Sequence, residues 1–219
     1  MSGDKQIQRP GTSKRAEITN ASQGIEIVRT GKPIVGSPKT GYVYLLVDCS
    51  VSMRGEKILQ AKSGALNFAK NALGKGYVTG LIQFDSSPKL LCEPDTNLSV
   101  LDSALTRIAI GDLTHMAKAI NLANSLLKNI SSIRVIVIVT DGVPNEDGDP
   151  ELTFKAASIA KKNGIDIIAI GTDDADHEFL KRIASRTDLA VKTTNVQLGK
   201  TIGDSVIMLP SGNKEINKA

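Results

Sequence analysis

Four apolar runs, separated by stretches of helical periodicity, constrain this chain more than anything else in it. Residues 42–47, 77–84, 133–139 and 165–170 are each six to eight long and rich in Val, Ile and Leu. Their hydrophobicity is nearly continuous, as expected of strands covered on both faces rather than strands with one wet side. Between them lie helical stripes. Ile58, Ala61, Ala65, Ala69 and Ala72 mark one face of a helix, with Leu59, Leu66 and Leu73 beside it, and Gly74-Lys75-Gly76 ends it. Met116, Ile120, Ala123, Leu127 and Ile130 mark another that begins near Thr114. Further helices are expected over 98–108, 151–162, 177–185 and 196–207, and a weak strand near 189–191. After the turn 85–88, Lys89-Leu90-Leu91-Cys92 reads as a short antiparallel edge strand, and Pro94 beyond it suits an edge, where a missing donor matters little. The alternation predicts a doubly wound, Rossmann-like α/β domain: a mostly parallel sheet with one antiparallel edge strand and helices on both faces.

One such domain, over 41–210, suits a chain of 219 residues. Aromatic content of 3% and the absence of Trp point to an aliphatic core. Residues 1–40 hold seven basic and three acidic residues, so the whole net charge of +4 resides there and the remainder is neutral. That stretch reads as a flexible basic leader, with a small hairpin where 25–28 and 34–35 flank Thr30-Gly31-Lys32-Pro33, and 211–219 read as a polar tail. A charge confined to a leader argues against nucleic-acid binding by the folded body. No run reaches the roughly 18 apolar residues of a membrane span, and the N-terminus lacks a secretory apolar stretch, so a cytoplasmic location is expected. Cys49 and Cys92 imply no disulfide framework, and two isolated histidines add no zinc-ligand spacing.

In an open doubly wound sheet, ligands bind outside the carboxyl ends of the strands, where the strand order reverses. Asp48-Cys49-Ser50-Val51-Ser52 directly follows the first apolar run, and Thr140-Asp141-Gly142 follows the third. Thr114 opens a helix on the same predicted rim. Asp48, Ser50, Ser52, Thr114 and Asp141 would together supply five hard oxygen donors from three loops, a set suited to Mg²⁺ or Mn²⁺. Taken singly, each has a bland alternative as a helix cap or turn residue. Cys49, between two of them, is expected to point into the core, and His115 to lie at the rim or at an exposed helix start. Asp173, Asp174 and Asp176 form an acidic loop after the fourth run, also at the carboxyl rim, that reads as a solvated turn in preference to a second cation site, and Lys75 and Lys161 read as solvated helix faces or ends.

Asp48-x-Ser50-x-Ser52, the threonine leading into Ala119-Ile120, and Thr140-Asp141-Gly142 together resemble the von Willebrand factor A (vWA) domain and its metal-ion-dependent adhesion site. Ile82-Gln83-Phe84-Asp85 and Met53-Arg54-Gly55-Glu56-Lys57-Ile58 are similar to the family as well, and the resemblance spans about 42–208. It implies that Ser50 and Ser52 bind the ion directly, that Thr114 does so when a partner is engaged, and that Asp48 and Asp141 act largely through water. It also implies an open coordination position that a partner protein's Asp or Glu fills. Gly111-Asp112-Leu113-Thr114 departs from the glycine-rich approach common in relatives, which points to a stiffer loop and makes Asp112 an additional candidate donor. Stand-alone bacterial members, including those of tellurite-resistance (TerY-like) clusters, look most similar. They imply an adaptor in a stress or defence system, serving an AAA+ ATPase or a kinase–phosphatase pair.

The rival class is a phosphotransfer or phosphohydrolase enzyme on a similar sheet. Haloacid dehalogenase-type enzymes resemble Asp-x-Asp at the end of the first strand, whereas Ser50 stands at the second position here and leaves no acid/base partner. Neither a Gly-x₄-Gly-Lys-Ser/Thr loop nor a Gly-x-Gly-x-x-Gly turn occurs, and a nucleophile elbow is also missing. The sequence therefore favours a non-enzymatic binding module.

Overall fold

The computed structural model describes residues 40–144 and 150–211. The basic leader with its hairpin, and the tail from 212 on, lie outside the described residues. The chain forms β1 (Gly41–Asp48), a 3₁₀ turn (Val51–Met53), α1 (Glu56–Gly74), β2 (Tyr77–Phe84), β3 (Lys89–Asp95), α2 (Leu98–Thr106), α3 (Met116–Leu127) and β4 (Arg134–Thr140). It continues through α4 (Pro150–Lys162), β5 (Asp166–Gly171), α5 (His177–Ile183), β6 (Ala190–Lys192) and α6 (Leu198–Asp204). The strands make one sheet in the order β3-β2-β1-β4-β5-β6, with β3 antiparallel to β2 and every other pair parallel. Helices cover the sheet, and the fold is the doubly wound α/β arrangement that the alternation predicts.

The apolar runs become the central strands because both of their faces are covered: Val43, Leu45, Leu46, Val47 and Val135–Val139 are all fully buried. The chain winds outward from β1 to β3 and then returns to the other side of β1 with β4. The reversal therefore falls between β1 and β4, and it sets the end of Asp48 beside the end of Thr140.

Several boundaries depart from the sequence reading, each for a tertiary reason. Leu59 is 66% exposed, so it lies off the buried stripe of α1, while Gly64 and Phe68 join that stripe. The helix expected at Thr114 begins at Met116, because the His115 amide donates to the Asp85 carbonyl (2.9 Å) instead of entering a helical turn. α5 stops at Ile183, since Ser185 is diverted to β5: its amide donates to the Ile167 carbonyl and its hydroxyl accepts from the Ile167 amide. The final helix is confined to α6 with a 3₁₀ turn on either side, and Val196 and Ile207 in those turns are exposed. Two glycines let it pack closely on α1. A Cβ on Gly64 of α1 would lie 2.6 Å from the Gly199 carbonyl oxygen, so α1 and α6 cross at backbone distance. β3 runs on to Asp95 through Pro94, with register shifts opposite Leu81, as its edge position permits.

Candidate metal centre

Where β1 ends, the chain turns through the 3₁₀ segment, closed by the Met53 amide on the Ser50 carbonyl (3.0 Å) and the Arg54 amide on the Val51 carbonyl (3.1 Å). Gly55, at φ 85°, then makes the bend into α1 that a side chain would resist. The turn folds Ser52 back beside Ser50, with the two hydroxyl oxygens 3.0 Å apart. Ser52 donates to Oδ1 of Asp141 (2.8 Å), across the strand reversal. Asp48 is fully buried, and both of its oxygens are engaged: Oδ1 accepts from the Ser50 amide (2.9 Å) and Oδ2 from the Thr140 hydroxyl (2.7 Å). Four of the five anticipated residues thus form one hydrogen-bonded cluster. Asp48, Ser50 and Asp141 are buried, and Ser52 faces solvent.

Thr114, also buried, comes from a third loop that is tied to the ends of β1 and β2. The Gly111 amide donates to the Cys49 carbonyl (2.7 Å), and the His115 amide fixes the other side of Thr114 to Asp85. Gln83, buried in β2, engages Ala109 in both directions: its amide nitrogen donates to the Ala109 carbonyl (2.9 Å) and its oxygen accepts from the Ala109 amide (3.2 Å). Asp85 completes the support by accepting from Gln83 and from the Ser87 amide. A Cβ on Gly111 would fall 2.4–2.5 Å from the Asp85 carboxyl group, so only glycine fits there. Asp112 is exposed on this loop.

Sequence reasoning missed Lys57. Its ammonium donates to Oδ2 of Asp141 and to Oδ2 of Asp174, each at 2.7 Å. A lysine in the first turn of a helix opposes the helix dipole, and that mismatch was the available signal. The acidic loop is correspondingly more than a solvated turn: Asp174 pairs with Lys57, and Asp176 caps α5 by accepting from the Glu178 and Phe179 amides. Lys161 and Lys75 likewise bond carbonyls, those of Arg182 and Ala184 for the first and that of Val206 for the second. Cys49 lies in the core as expected.

The electrostatics follow from this burial. Removal from water pushes the Asp48 carboxyl up to about 6, despite the lowering effect of its bonds to Ser50 and Thr140. Burial of the Cys49 thiol raises it strongly. Burial alone would lower Lys57, but its hydrogen bonds to Asp141 and Asp174 outweigh that and raise it. Asp174 is held below the usual carboxylate range by the Lys57 hydrogen bond.

The donor set fits a small, hard dication. Adjacent ligands about 2.1 Å from an octahedral centre stand about 3.0 Å apart. The 3.0 Å separation between the Ser50 and Ser52 hydroxyls matches such an edge, and Asp141, bonded to Ser52, stands behind it. Among the described residues no group of three His, Cys, Asp or Glu side chains is arranged to hold an ion, so a cation here would depend on hydroxyls. Beside the donors the rim is apolar: Val51, Leu113 and Val143, one on each of the three loops, are all exposed. Among the described residues no helix is long and apolar enough to cross a membrane.

Comparison with known proteins agrees with this architecture. No curated protein matches the chain by sequence. Among solved structures, the vWF domain of the type V pili tip protein Mfa5 from Porphyromonas gingivalis superposes with a TM-score of 0.71 at 14% identity, over 82% of this chain and 98% of that one. A von Willebrand factor type A protein from Catenulispora acidiphila gives a TM-score of 0.63 at 17% identity, over 81% of this chain and 44% of that one. Proximal thread matrix protein 1 from the mussel byssus, with a zinc-occupied MIDAS motif, gives 0.63 at 18% identity, over 77% of this chain and 45% of that one. At such identities these likenesses speak to the fold. The family model for the von Willebrand factor type A domain matches residues 43–204, from β1 to the end of α6. The chain belongs to the von Willebrand factor type A domain family.

Proposed function

We propose that this domain is a non-catalytic, divalent-cation-dependent protein-binding module. Asp48, Ser50, Ser52, Thr114 and Asp141 hold Mg²⁺ or Mn²⁺, and an Asp or Glu of a partner protein completes the coordination. The observation that carries the proposal is the rim itself: hydroxyls and carboxylates spaced at 2.8 and 3.0 Å, ringed by the exposed Val51, Leu113 and Val143. With neutral hydroxyls as direct donors, the bound dication would remain under-neutralised and favour an anionic ligand. The exposed aliphatic residues then offer the partner a surface that excludes water around that contact. A phosphohydrolase role is disfavoured by Asp48, whose oxygens are both hydrogen-bonded and sequestered from solvent. Resemblance to stand-alone bacterial members extends the proposal to an adaptor serving an AAA+ ATPase or a kinase–phosphatase pair.

Calorimetric titration with Mg²⁺ and Mn²⁺ tests the site. Binding in the wild type that disappears in Asp48→Ala supports it, and equal binding by both removes the assignment. The partner contact is tested by retention on the immobilised protein. Retention that survives deletion of residues 1–40 but not EDTA supports the metal centre. Retention that survives EDTA but is lost with the basic leader, and that fades steadily with salt, overturns it.

A further inference from the structure

We propose that Lys57 is a resident cation of this centre: its ammonium holds Asp141 in the ion-free protein and is drawn onto Asp174 when a dication is bound, so that the Lys57–Asp174 pair sets the affinity for the ion. The inference rests on the metal reading given above and adds two residues to it.

The geometry is a three-charge relay. Lys57 stands 2.7 Å from Asp141 on one side and 2.7 Å from Asp174 on the other. Asp141 has no oxygen to spare in this arrangement, since Ser52 takes Oδ1 and Lys57 takes Oδ2. The ammonium therefore satisfies a carboxylate whose side chain is only 2% exposed and which would otherwise be buried with one oxygen unpaired. A dication sharing Asp141 would lie within a few ångströms of that ammonium, and like charges so close repel appreciably even at a high effective dielectric. The two cations thus compete for one carboxylate. Asp174 resolves the competition: it is well exposed at 63% and lies on the loop after β5. The ammonium moves toward it along a hydrogen bond that already exists. Lys57 also sits in the first turn of α1, where the helix dipole disfavours a cation, so its position reflects these two carboxylates rather than local preference. By linkage, whatever engages Asp174 alters the affinity for the ion, and ion binding alters the freedom of the α5-side loop to the same degree.

Mn²⁺ titration of the full chain by calorimetry tests this, with Lys57→Met, Lys57→Gln, Asp174→Asn and the double variant Lys57→Met/Asp174→Asn. Either Lys57 variant is expected to tighten Mn²⁺ binding roughly five-fold, the size of a partly exposed ion pair. Asp174→Asn alone is expected to weaken binding by a similar factor, because it leaves the ammonium wholly on Asp141. In the Lys57→Met background Asp174→Asn should have no further effect, since Asp174 acts only through Lys57. As a second readout, the rise in melting temperature on adding Mn²⁺ should be larger in Lys57→Met, whose ion-free state leaves Oδ2 of Asp141 without its ammonium. Unchanged or weaker binding in both Lys57 variants overturns the inference. So does an Asp174→Asn effect of equal size in both backgrounds, which would show a general electrostatic field and no relay. Absence of Asp48-dependent Mn²⁺ binding in the wild type overturns the metal reading and this inference together, which separates the two failures.

Discussion

Asp48 imposes a cost on the ion-free protein that can be measured. Its carboxyl is raised by burial from 3.8 to about 6, so the folded state holds the proton more tightly than the unfolded chain does. The stabilising contribution is fully present below 3.8 and is lost as pH rises through 6. At neutral pH with chelator present, ionised Asp48 should therefore reduce stability by about 2–3 kcal/mol. Asp48→Asn removes the charge, and the Thr140 hydroxyl can accept from the new amide while it donates to the Gly142 carbonyl already 3.1 Å away. The variant should resist urea better than the wild type at pH 7.5 in EDTA and lose that advantage near pH 4. An advantage that does not depend on pH would show that the carboxylate is not the cause. The clustering of Asp48, Ser50, Ser52 and Asp141 is readable from sequence because these residues fall in two local patterns, Asp-x-Ser-x-Ser and Thr-Asp-Gly. Lys57 and Gln83 are not, because their partners Asp174 and Ala109 lie 117 and 26 residues away.

The loop before Thr114 shows how an element without regular structure is fixed in place. Gln83 holds Ala109 in both directions, Cys49 holds Gly111, and Asp85 holds His115. This arrangement accounts for a glycine at 111, where a Cβ would enter the Asp85 carboxyl group. Gly111→Ala should displace the loop and lower stability by about 1–3 kcal/mol, the usual range for overpacking. Urea denaturation checks the magnitude, and a shift of less than a few tenths would mean that the loop yields freely. The strands could be read from the apolar runs, since burial on both faces leaves a continuous signal. The helix ends could not: His115 and Ser185 leave the helical pattern for bonds to Asp85 and Ile167, and nothing adjacent in sequence announces such partners. The close crossing of α1 and α6 was equally hidden, because Gly64 and Gly199 mean little until they are seen to face each other.

For the molecule as a whole, alternation predicts the layers and the strand-end rule predicts the rim, but neither supplies the strand order. That order is decided by which strands find partners for their backbones, and it alone puts Asp48 next to Thr140 and Asp141. The same topology gives the domain a back as well as a front. The described body begins beside Gly41, at the amino end of β1, where the Ser132 hydroxyl bonds the Thr40 carbonyl. It closes at Pro210, whose carbonyl accepts from the Tyr77 hydroxyl, and Tyr77 pairs with Gly41 in the sheet. Entry and exit are thus stapled together at the pole opposite the oxygen cluster. Cargo fused directly at residue 40 or 211 should therefore leave Mn²⁺ affinity unchanged, and a calorimetric difference beyond about two-fold, or roughly 0.4 kcal/mol, would contradict that polarity. In mechanical terms, tension applied at Gly41 and Pro210 would load the floor of the domain while the rim that carries the oxygen cluster stayed slack.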